Sequence, residues 1–367
     1  MKVGLVFGGR SVEHEVSLVS ARGVAAALDR SRYDVVPIAV TGAGEWLSPA
    51  RSAEILASAD VRADASTGNS QARVVPGPGG GGLFESGADG RTRPVAVDAI
   101  FSVVHGWGGE DGRMQGILDW AGIPYVGSGV LGSAAAMDKA VAKTLAEAAG
   151  VPVGPWRLLT EDRFLGDPDG AAARLAERLG LPLFVKPASG GSSVGITKVR
   201  EPEAIPAALR EAFRFDRRVV VEAGLDVREI ECAVLGNDVP EASVVGEIEP
   251  SSEFYDYAAK YLDGTSKLSI PASLDAAVAS EVRRLAVEVF LALDLAGMAR
   301  VDFFLERASG RVFFNEANTL PGFTPISMYP KLWEATGVPY PALLGRLIDL
   351  AVERFRGERA RTTRRDD

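Results

Sequence analysis

Residues 299–322 read ARVDFFLERASGRVFFNEANTLPG, and the strand pairing they impose decides the fold around them. Two short apolar runs flank Ala308-Ser309-Gly310, the signature of a β-hairpin. A hairpin centred on Ser309 sets Asp302 directly across from Glu316, with both side chains on one face. The two-residue period of a strand adds Arg300 and Asn318 to that face. Facing carboxylates with no lysine between them repel, and a hard cation relieves the repulsion. Asp, Glu and Asn oxygens are donors that Mg²⁺ accepts. An arginine on the same face suits an anionic partner better than a metal alone. Asn318-Thr319-Leu320-Pro321-Gly322 follows at once, and a Pro-Gly turn can aim backbone N–H groups at a ligand. The bland alternative is a solvated hairpin face with incidental charges.

Working outward, 367 residues exceed one small domain and predict two or three. Apolar residues make up 47% of the chain, enough for sizeable cores, yet no run is long enough to span a membrane. The start, MKVGLVFGGR, is a strand and a glycine turn, too soon polar for a signal peptide. The single cysteine, Cys232, rules out an internal disulfide and fits a reducing cytoplasm. Its setting, EIECAVLG, is a strand pattern that predicts a buried, inert thiol. A formal charge of −9 argues against nucleic-acid binding, and the basic end GERARTTRRDD reads as a solvated tail.

The first third alternates strand and helix. Residues 2–7 form an apolar strand, Val16, Val19, Val24 and Leu28 recur at helical spacing, and residues 33–40 form a second strand. That order predicts a parallel, doubly wound sheet with ligands at the carboxyl ends of its strands. Residues 41–97, rich in Gly, Ala, Ser and Asp, are expected to be a surface insertion with little structure of its own. Order resumes with a strand over 99–105, the loop GWGGEDG, and one helix over 133–149 ended by Gly150. Strands are expected over 183–186, 196–199 and 218–222, and a helix near 274–293.

Several stretches outside the hairpin carry chemistry. Residues 186–195, KPASGGSSVG, form a glycine-serine loop whose N–H groups can cradle an anion, with Lys186 as a point charge. The lysine precedes the glycines and no helix follows, so this is not the usual phosphate loop; a mobile hairpin tip is an equal expectation. Lys139, at the start of a helix, reads as solvated on its own. Glu222 and Glu229 bracket the end of a hydrophobic strand that can offer backbone groups to adenine and a carboxylate to ribose. Glu13 and His14 follow the first glycine turn, where an acid favours the helix by a few tenths of a kcal/mol. Its functional alternative is to receive a substrate ammonium, and His105, at the end of another parallel strand, can converge with it. The run FYDYAAKY at 254–261 concentrates three tyrosines and a lysine in a loop suited to closing as a lid.

Together these pieces resemble the D-alanine–D-alanine ligases of the ATP-grasp superfamily. The motifs are GGRSVEHEVS, VVHGWGGEDGRMQG, YVGSGVLGSAAAMDK, VKPASGGSSVG, EFYDYAAKY, MARVDFF and FNEANTLPGFTPIS, in family order over nearly the whole chain. The resemblance implies an α/β fold, α+β in its C-terminal part: a three-domain ATP-grasp with an N-terminal parallel-sheet domain over 1–127, a central subdomain over 128–221, a C-terminal subdomain over 222–356 and a tail over 357–367. It implies ATP between the second and third domains. Lys139, Lys186 and Lys260 would contact phosphates, Glu222, Ala223 and Leu225 the adenine, Glu229 the ribose, and Ser193, Phe254 and Tyr255 would complete the nucleotide site. Ala223 stands where many members carry lysine, a departure of small weight because that contact is made by backbone. Asp302, Glu316 and Asn318 match ligands of two Mg²⁺ (or Mn²⁺) ions. Glu13 matches the acid that orients the first D-alanine and, with Ser192 and Tyr261, the family's hydrogen-bonded triad. Arg300 and the Gly322 N–H match the oxyanion stabilisers, and His105, Ser327 and Met328 fall on the substrate side.

The implied reaction joins two D-alanines through an acyl phosphate at the expense of ATP, in peptidoglycan precursor synthesis, by a cytoplasmic homodimer. The alternatives are a ligase using D-lactate or D-serine as second substrate, another ATP-grasp carboxylate–amine ligase, and a non-enzymatic ATP-binding module. Tyr261 favours D-alanine over D-lactate, the motif order argues against other ligases, and the intact Arg300, Asp302 and Glu316 argue against decay.

Overall fold

The apolar N-terminal run forms β1 (Lys2–Gly8), buried at every position after Lys2. The computed structural model describes residues 1–58, 73–77, 81–87, 90–249, 267–324 and 326–361. Helix α1 (His14–Ala27) leads to β2 (Asp34–Val40), which pairs parallel with β1. Helix α2 (Pro49–Ala57) and strands β3 (Arg73–Pro76), β4 (Leu83–Ser86) and β5 (Thr92–Val95) come next. Strand β6 (Ala99–Ser102) then closes the first sheet in the parallel order β2-β1-β6. A central parallel strand is covered on both faces, so β1 reads as an unbroken apolar run without alternation.

The expectation of little structure between 41 and 97 is corrected. Helix α2 and the antiparallel sheet β3-β4-β5 lie there. Each strand has four residues and buries at most one of them, Val74 in β3 and Leu83 in β4, within the cluster of Ile38, Val104 and Met114. Strands that short give too few alternations to stand out from a glycine-rich background.

Helices α3 (Arg113–Ala121), α4 (Val130–Met137) and α5 (Lys139–Ala148) follow. The single helix expected over 133–149 is two, broken at Asp138. That residue is extended (φ −89°, ψ 106°), bridges Ser189, and accepts the Ala140 and Val141 N–H groups at 3.0 Å each as the cap of α5. A second sheet contains β7 (Trp156–Thr160), β8 (Leu183–Pro187), β9 (Thr197–Val199) and β10 (Arg218–Ala223) in antiparallel order β7-β10-β8-β9. Helices α6 (Glu161–Gly166), α7 (Pro168–Leu179) and α8 (Ile205–Phe213) supply its core with Phe164, Leu175 and Leu209.

The third sheet has the antiparallel order β13-β12-β11-β14-β15, from β11 (Val227–Gly236), β12 (Glu241–Glu249), β13 (Lys267–Ser269), β14 (Gly297–Glu306) and β15 (Val312–Asn318). Helices α9 (Ala276–Ala292), α10 (Met328–Ala335) and α11 (Tyr340–Arg359) complete the chain. Cys232, Val301 and Phe303 face one core with α9, whereas Ala233, Leu235 and Met298 face another that joins α10 and α11 to Phe7 and Phe101 of the first sheet. Strand alternation therefore puts Arg300, Asp302 and Phe304 on the face of Met298, where apolar packing gives way to charge. Cys232 is buried and its thiol is pushed up to about 12 by burial, the inert state expected of it.

The hairpin of β14 and β15 pairs Arg300 with Asn318 and Asp302 with Glu316, as expected. Its centre is not Ser309, however: nearer the turn Phe303 pairs with Phe314 and Leu305 with Val312. A bulge between the two registers takes up Asn315 as an extra residue and restores the expected pairs. Among the described residues no helix is long and apolar enough to cross a membrane.

Trp333, fully buried where α10 meets the first and third sheets, anchors the shared core. Trp333→Ala is expected to lower stability by about 3–5 kcal/mol, read by urea denaturation, through the cavity it leaves.

Candidate active site

The charged end of the hairpin face is tightly organised. Arg300 donates from Nε to Asp302 Oδ1 (2.8 Å) and from Nη2 to Oδ2 (2.7 Å), and its Nε lies 3.1 Å from Glu231 Oε2. Asn318 Nδ2 donates to Asp302 Oδ2 at 3.0 Å. Glu316 pairs with Lys139 Nζ at 3.3 Å, and the same ammonium donates to the Gly190 carbonyl at 2.7 Å. The repulsion argued from the sequence is thus already relieved, by Arg300 on one carboxylate and Lys139 on the other. Lys139 is not solvated: the break at Asp138 turns it inward, leaving it 7% exposed. Glu231 was not foreseen, although Glu229 and Glu231 alternate with buried Ile230 and Cys232 along β11.

A cleft of ≈ 180 Å³ opens between the second and third sheets, lined by Phe184, Lys186, Ala223, Leu225, Glu229 and Phe304, with Ser193 and Glu222. On its floor Lys186 Nζ donates to Glu222 Oε2 at 2.7 Å, and Lys143 Nζ lies 3.0 Å from Glu222 Oε1. Burial alone would raise the Glu222 pKa, but the two ammoniums bring it down to about 2. Burial lowers the Lys143 pKa, whereas Glu222 more than offsets the burial of Lys186 and raises it. Lys143 also escaped the sequence reading; its only signal is a spacing of four from Lys139, which puts both on one helix face.

A second cavity of ≈ 320 Å³ meets this cleft at Arg300 and Glu316. Glu13 stands on its wall at the N-cap of α1 and accepts the Ser192 hydroxyl at 2.6 Å, joining the first glycine turn to the glycine-serine loop. Ser192 and Ser193 both have left-handed backbone, with φ of 52° and 60°. His105 converges with Glu13 as expected, its Nδ1 lying 3.1 Å from the Leu320 carbonyl and 3.5 Å from Glu110. Burial would lower the His105 pKa, but Glu110, then Glu13 and the Leu320 carbonyl, raise it above the ordinary value. Burial raises the Glu110 pKa in turn. Nothing in GWGGEDG separated Glu110 from Asp111, which turns away and accepts the Gly108 N–H at 2.7 Å.

Gly322, Ser327 and Met328 close the far wall of the second cavity, joined there by Lys331, which the sequence reading also missed. A Cβ on Gly322 would stand 2.6 Å from Ser327 Oγ, so a side chain here would push that hydroxyl out of its present position. Ser327 stands at the N-cap position of α10 without a side-chain bond to the helix, and its Oγ instead accepts the Thr324 N–H at 3.0 Å. Phe254, Tyr255, Lys260 and Tyr261 lie outside the described residues.

Two carboxylates and an amide oxygen suit Mg²⁺, which typically takes one or two carboxylates and completes its shell with water and substrate phosphates. Among the described residues no group of three or more His, Cys, Asp and Glu side chains could hold a metal alone. Asp302, Glu316 and Asn318 therefore fit a cation that arrives with an anionic substrate. The adjoining lysines suit the same anion.

Two family models match the chain: D-ala D-ala ligase N-terminus over residues 2–128 and D-ala D-ala ligase C-terminus over residues 145–349. It is 49% identical over 366 residues to D-alanine--D-alanine ligase A of Bradyrhizobium diazoefficiens, covering 97% of this chain and 96% of the relative. It is 47% identical over 358 residues to the D-alanine--D-alanine ligase of Chlorobium limicola, covering 96% and 97%. The D-alanine-D-alanine ligase structure from Coxiella burnetii superposes with a TM-score of 0.85 at 36% identity, covering 98% of this chain and 96% of that one. A D-Ala:D-Ser ligase from Enterococcus faecalis superposes with a TM-score of 0.82 at 37% identity, covering 95% and 99%.

Glu222→Gln strips two buried ammoniums of their counter-charge, and a loss of about 3–5 kcal/mol at pH 7 is expected. The folded pKa of about 2 lies below the ordinary 4.5, so the Glu222 contribution is full above pH 4.5 and lost as pH falls toward 2. Urea denaturation of both proteins at pH 7 and at successively lower pH should show the gap closing across that window.

Proposed function

The chain belongs to the D-alanine–D-alanine ligase family, and we propose from that premise how its residues share the work. The enzyme is an ATP-dependent ligase that joins two D-alanines into D-alanyl-D-alanine for peptidoglycan precursors, through a D-alanyl phosphate, with release of ADP and phosphate. The observation that best supports the division of roles is the charged hairpin face, with Arg300 and Glu316 lining both the cleft and the second cavity.

The cleft between the second and third sheets takes ATP. Backbone groups of Ala223 and Leu225, beside Glu222, meet the adenine between Phe184 and Phe304, and Glu229 meets the ribose. Lys139, Lys186 and Ser193 face the phosphates, with Phe254, Tyr255 and Lys260 from the aromatic loop. Asp302, Glu316 and Asn318 would hold Mg²⁺ or Mn²⁺, whose charge when bound offsets that of the phosphates.

The second cavity takes the two amino acids. Glu13 receives the ammonium of the first, oriented by Ser192 and Tyr261, with His105 beside it. A carboxylate oxygen of the first D-alanine attacks the γ-phosphorus, ADP leaves, and a D-alanyl phosphate forms. The second D-alanine rests its carboxylate on Ser327 and the N–H of Met328, at the start of α10, where backbone donors favour an anion. Its amine, having lost a proton, attacks the acyl carbon. Arg300, held in place by Asp302 and Glu231, and the Gly322 N–H stabilise the oxyanion, each such donor typically worth about 3–4 kcal/mol. The tetrahedral centre collapses, the C–O bond to phosphate breaks, and the peptide bond remains.

We propose units at 1–127, 128–221 and 222–356, with the last boundary falling inside β10 and α4 and α5 packing on the third sheet's core. We propose a cytoplasmic homodimer that binds no nucleic acid, in keeping with the −9 net charge.

Phosphate release with ATP, Mg²⁺ and D-alanine, compared with D-serine or D-lactate as second substrate, tests the assignment. D-Alanine should turn over best, and a faster reaction with either rival would reject it. Glu316→Gln should cut kcat by roughly a hundredfold in protein that is still fully folded at the assay temperature, although unpairing Lys139 lowers its melting temperature, if Glu316 serves as metal ligand. An unchanged kcat would remove that role.

A further inference from the structure

Behind Glu222 on the cleft floor lies a lysine that the proposed mechanism leaves idle. Lys143 is 3% exposed and lines neither the cleft nor the second cavity, so it has no direct path to a ligand. It sits one helical turn beyond Lys139 on α5 and reaches Glu222 Oε1 at 3.0 Å, while Lys186 takes Oε2 at 2.7 Å. One carboxylate is thus shared by two ammoniums, all three groups buried. The triad carries one more positive than negative charge. Its walls are apolar: the Phe314 ring lies 6.0 Å from Lys143 Nζ, and the Phe184 and Phe304 rings lie 5.8 and 5.9 Å from Lys186 Nζ. Glu316, itself paired with Lys139, and Glu229 add negative charge from further off.

A surplus buried cation is costly unless an anion completes it. Were Lys143 absent, Glu222 and Lys186 would close into a one-to-one buried pair. A phosphate drawing on Lys186 would then strand Glu222 as a bare carboxylate in a low-dielectric floor. With Lys143 present, Lys186 is only partly neutralised, and Glu222 keeps a partner when Lys186 turns toward a phosphate. We propose that Lys143 is a positioning residue for the nucleotide phosphates: it occupies one oxygen of Glu222 so that Lys186 stays available to the anion. This rests on the cleft being the nucleotide site.

The test compares ATP with adenosine, which shares the base and ribose but lacks phosphates. Equilibrium binding of each is measured on the full-length wild type, Lys143→Met and Lys143→Arg. Lys143→Met should weaken ATP binding about tenfold, leave adenosine within about twofold, and be rescued by Lys143→Arg. Should the methionine variant fail to fold, Lys143→Gln, polar but uncharged, is expected to show the same selective loss. Unchanged ATP affinity in a folded, uncharged variant would overturn the proposal. Equal weakening of ATP and adenosine would also overturn it, because Lys143 would then merely support the cleft. A wild type that binds neither ligand would instead overturn the nucleotide assignment beneath it.

Discussion

The structure depends on one electrostatic constraint: charges buried between two sheets must neutralise one another without losing their availability to a ligand. On the hairpin face Arg300 divides itself between Asp302 and Glu231, and Lys139 divides itself between Glu316 and a carbonyl. On the cleft floor Glu222 divides itself between Lys143 and Lys186. Sharing of this kind gives each buried charge a counter-charge within ion-pair distance. Truncating any one member of such a set exposes its partners to the full cost of burial, typically several kcal/mol. The same charges that endanger the fold are therefore those that recognise a phosphorylated substrate.

Three sheets meet to build that arrangement, and each supplies what its geometry allows. The parallel sheet presents Glu13 and, three residues beyond the end of β6, His105 at its carboxyl edge, as open α/β sheets do. The antiparallel second sheet offers a strand end at Ala223 and a glycine-serine turn after Lys186. The third sheet contributes a rigid two-stranded face. A hydrophobic core containing Phe7, Phe101, Phe323 and Trp333 spans the first and third sheets, so Glu13 and Arg300 are fixed relative to each other. Rigid support of this kind is what holding two reactants in attacking geometry requires.

How much of this the sequence disclosed follows from the range of each signal. The Asp302–Glu316 pairing was legible because strand alternation has a period of two, and it held only because the Asn315 bulge cancelled a misplaced turn centre. Apolar β1 and the α1 periodicity were legible for the same local reason. Lys139 was misjudged because its burial depends on a cap at Asp138 and a bridge to Ser189, fifty residues away in the chain. Glu110, Lys143, Glu231 and Lys331 were missed because an isolated charge in sequence carries no sign of what faces it. The contact of Glu13 with Ser192 spans 179 residues and came only through resemblance to a family.

That contact also explains how the glycine-serine loop is kept in place. Two consecutive serines in left-handed backbone cost of order 1 kcal/mol each, and glycines on either side relax only the flanks. The strained shape persists because Ser192 donates a short bond to an ionisable carboxylate and Lys139 donates to the Gly190 carbonyl. Charge-assisted bonds are stronger than neutral ones, so two of them can offset the strain. Both anchors face the second cavity, and both are groups a bound substrate would also engage. The loop conformation and the occupancy of the cavity are consequently coupled through Glu13 and Lys139. A substrate ammonium that drew on Glu13, or a phosphate that drew on Lys139, would act on the loop by the same bonds that now hold it.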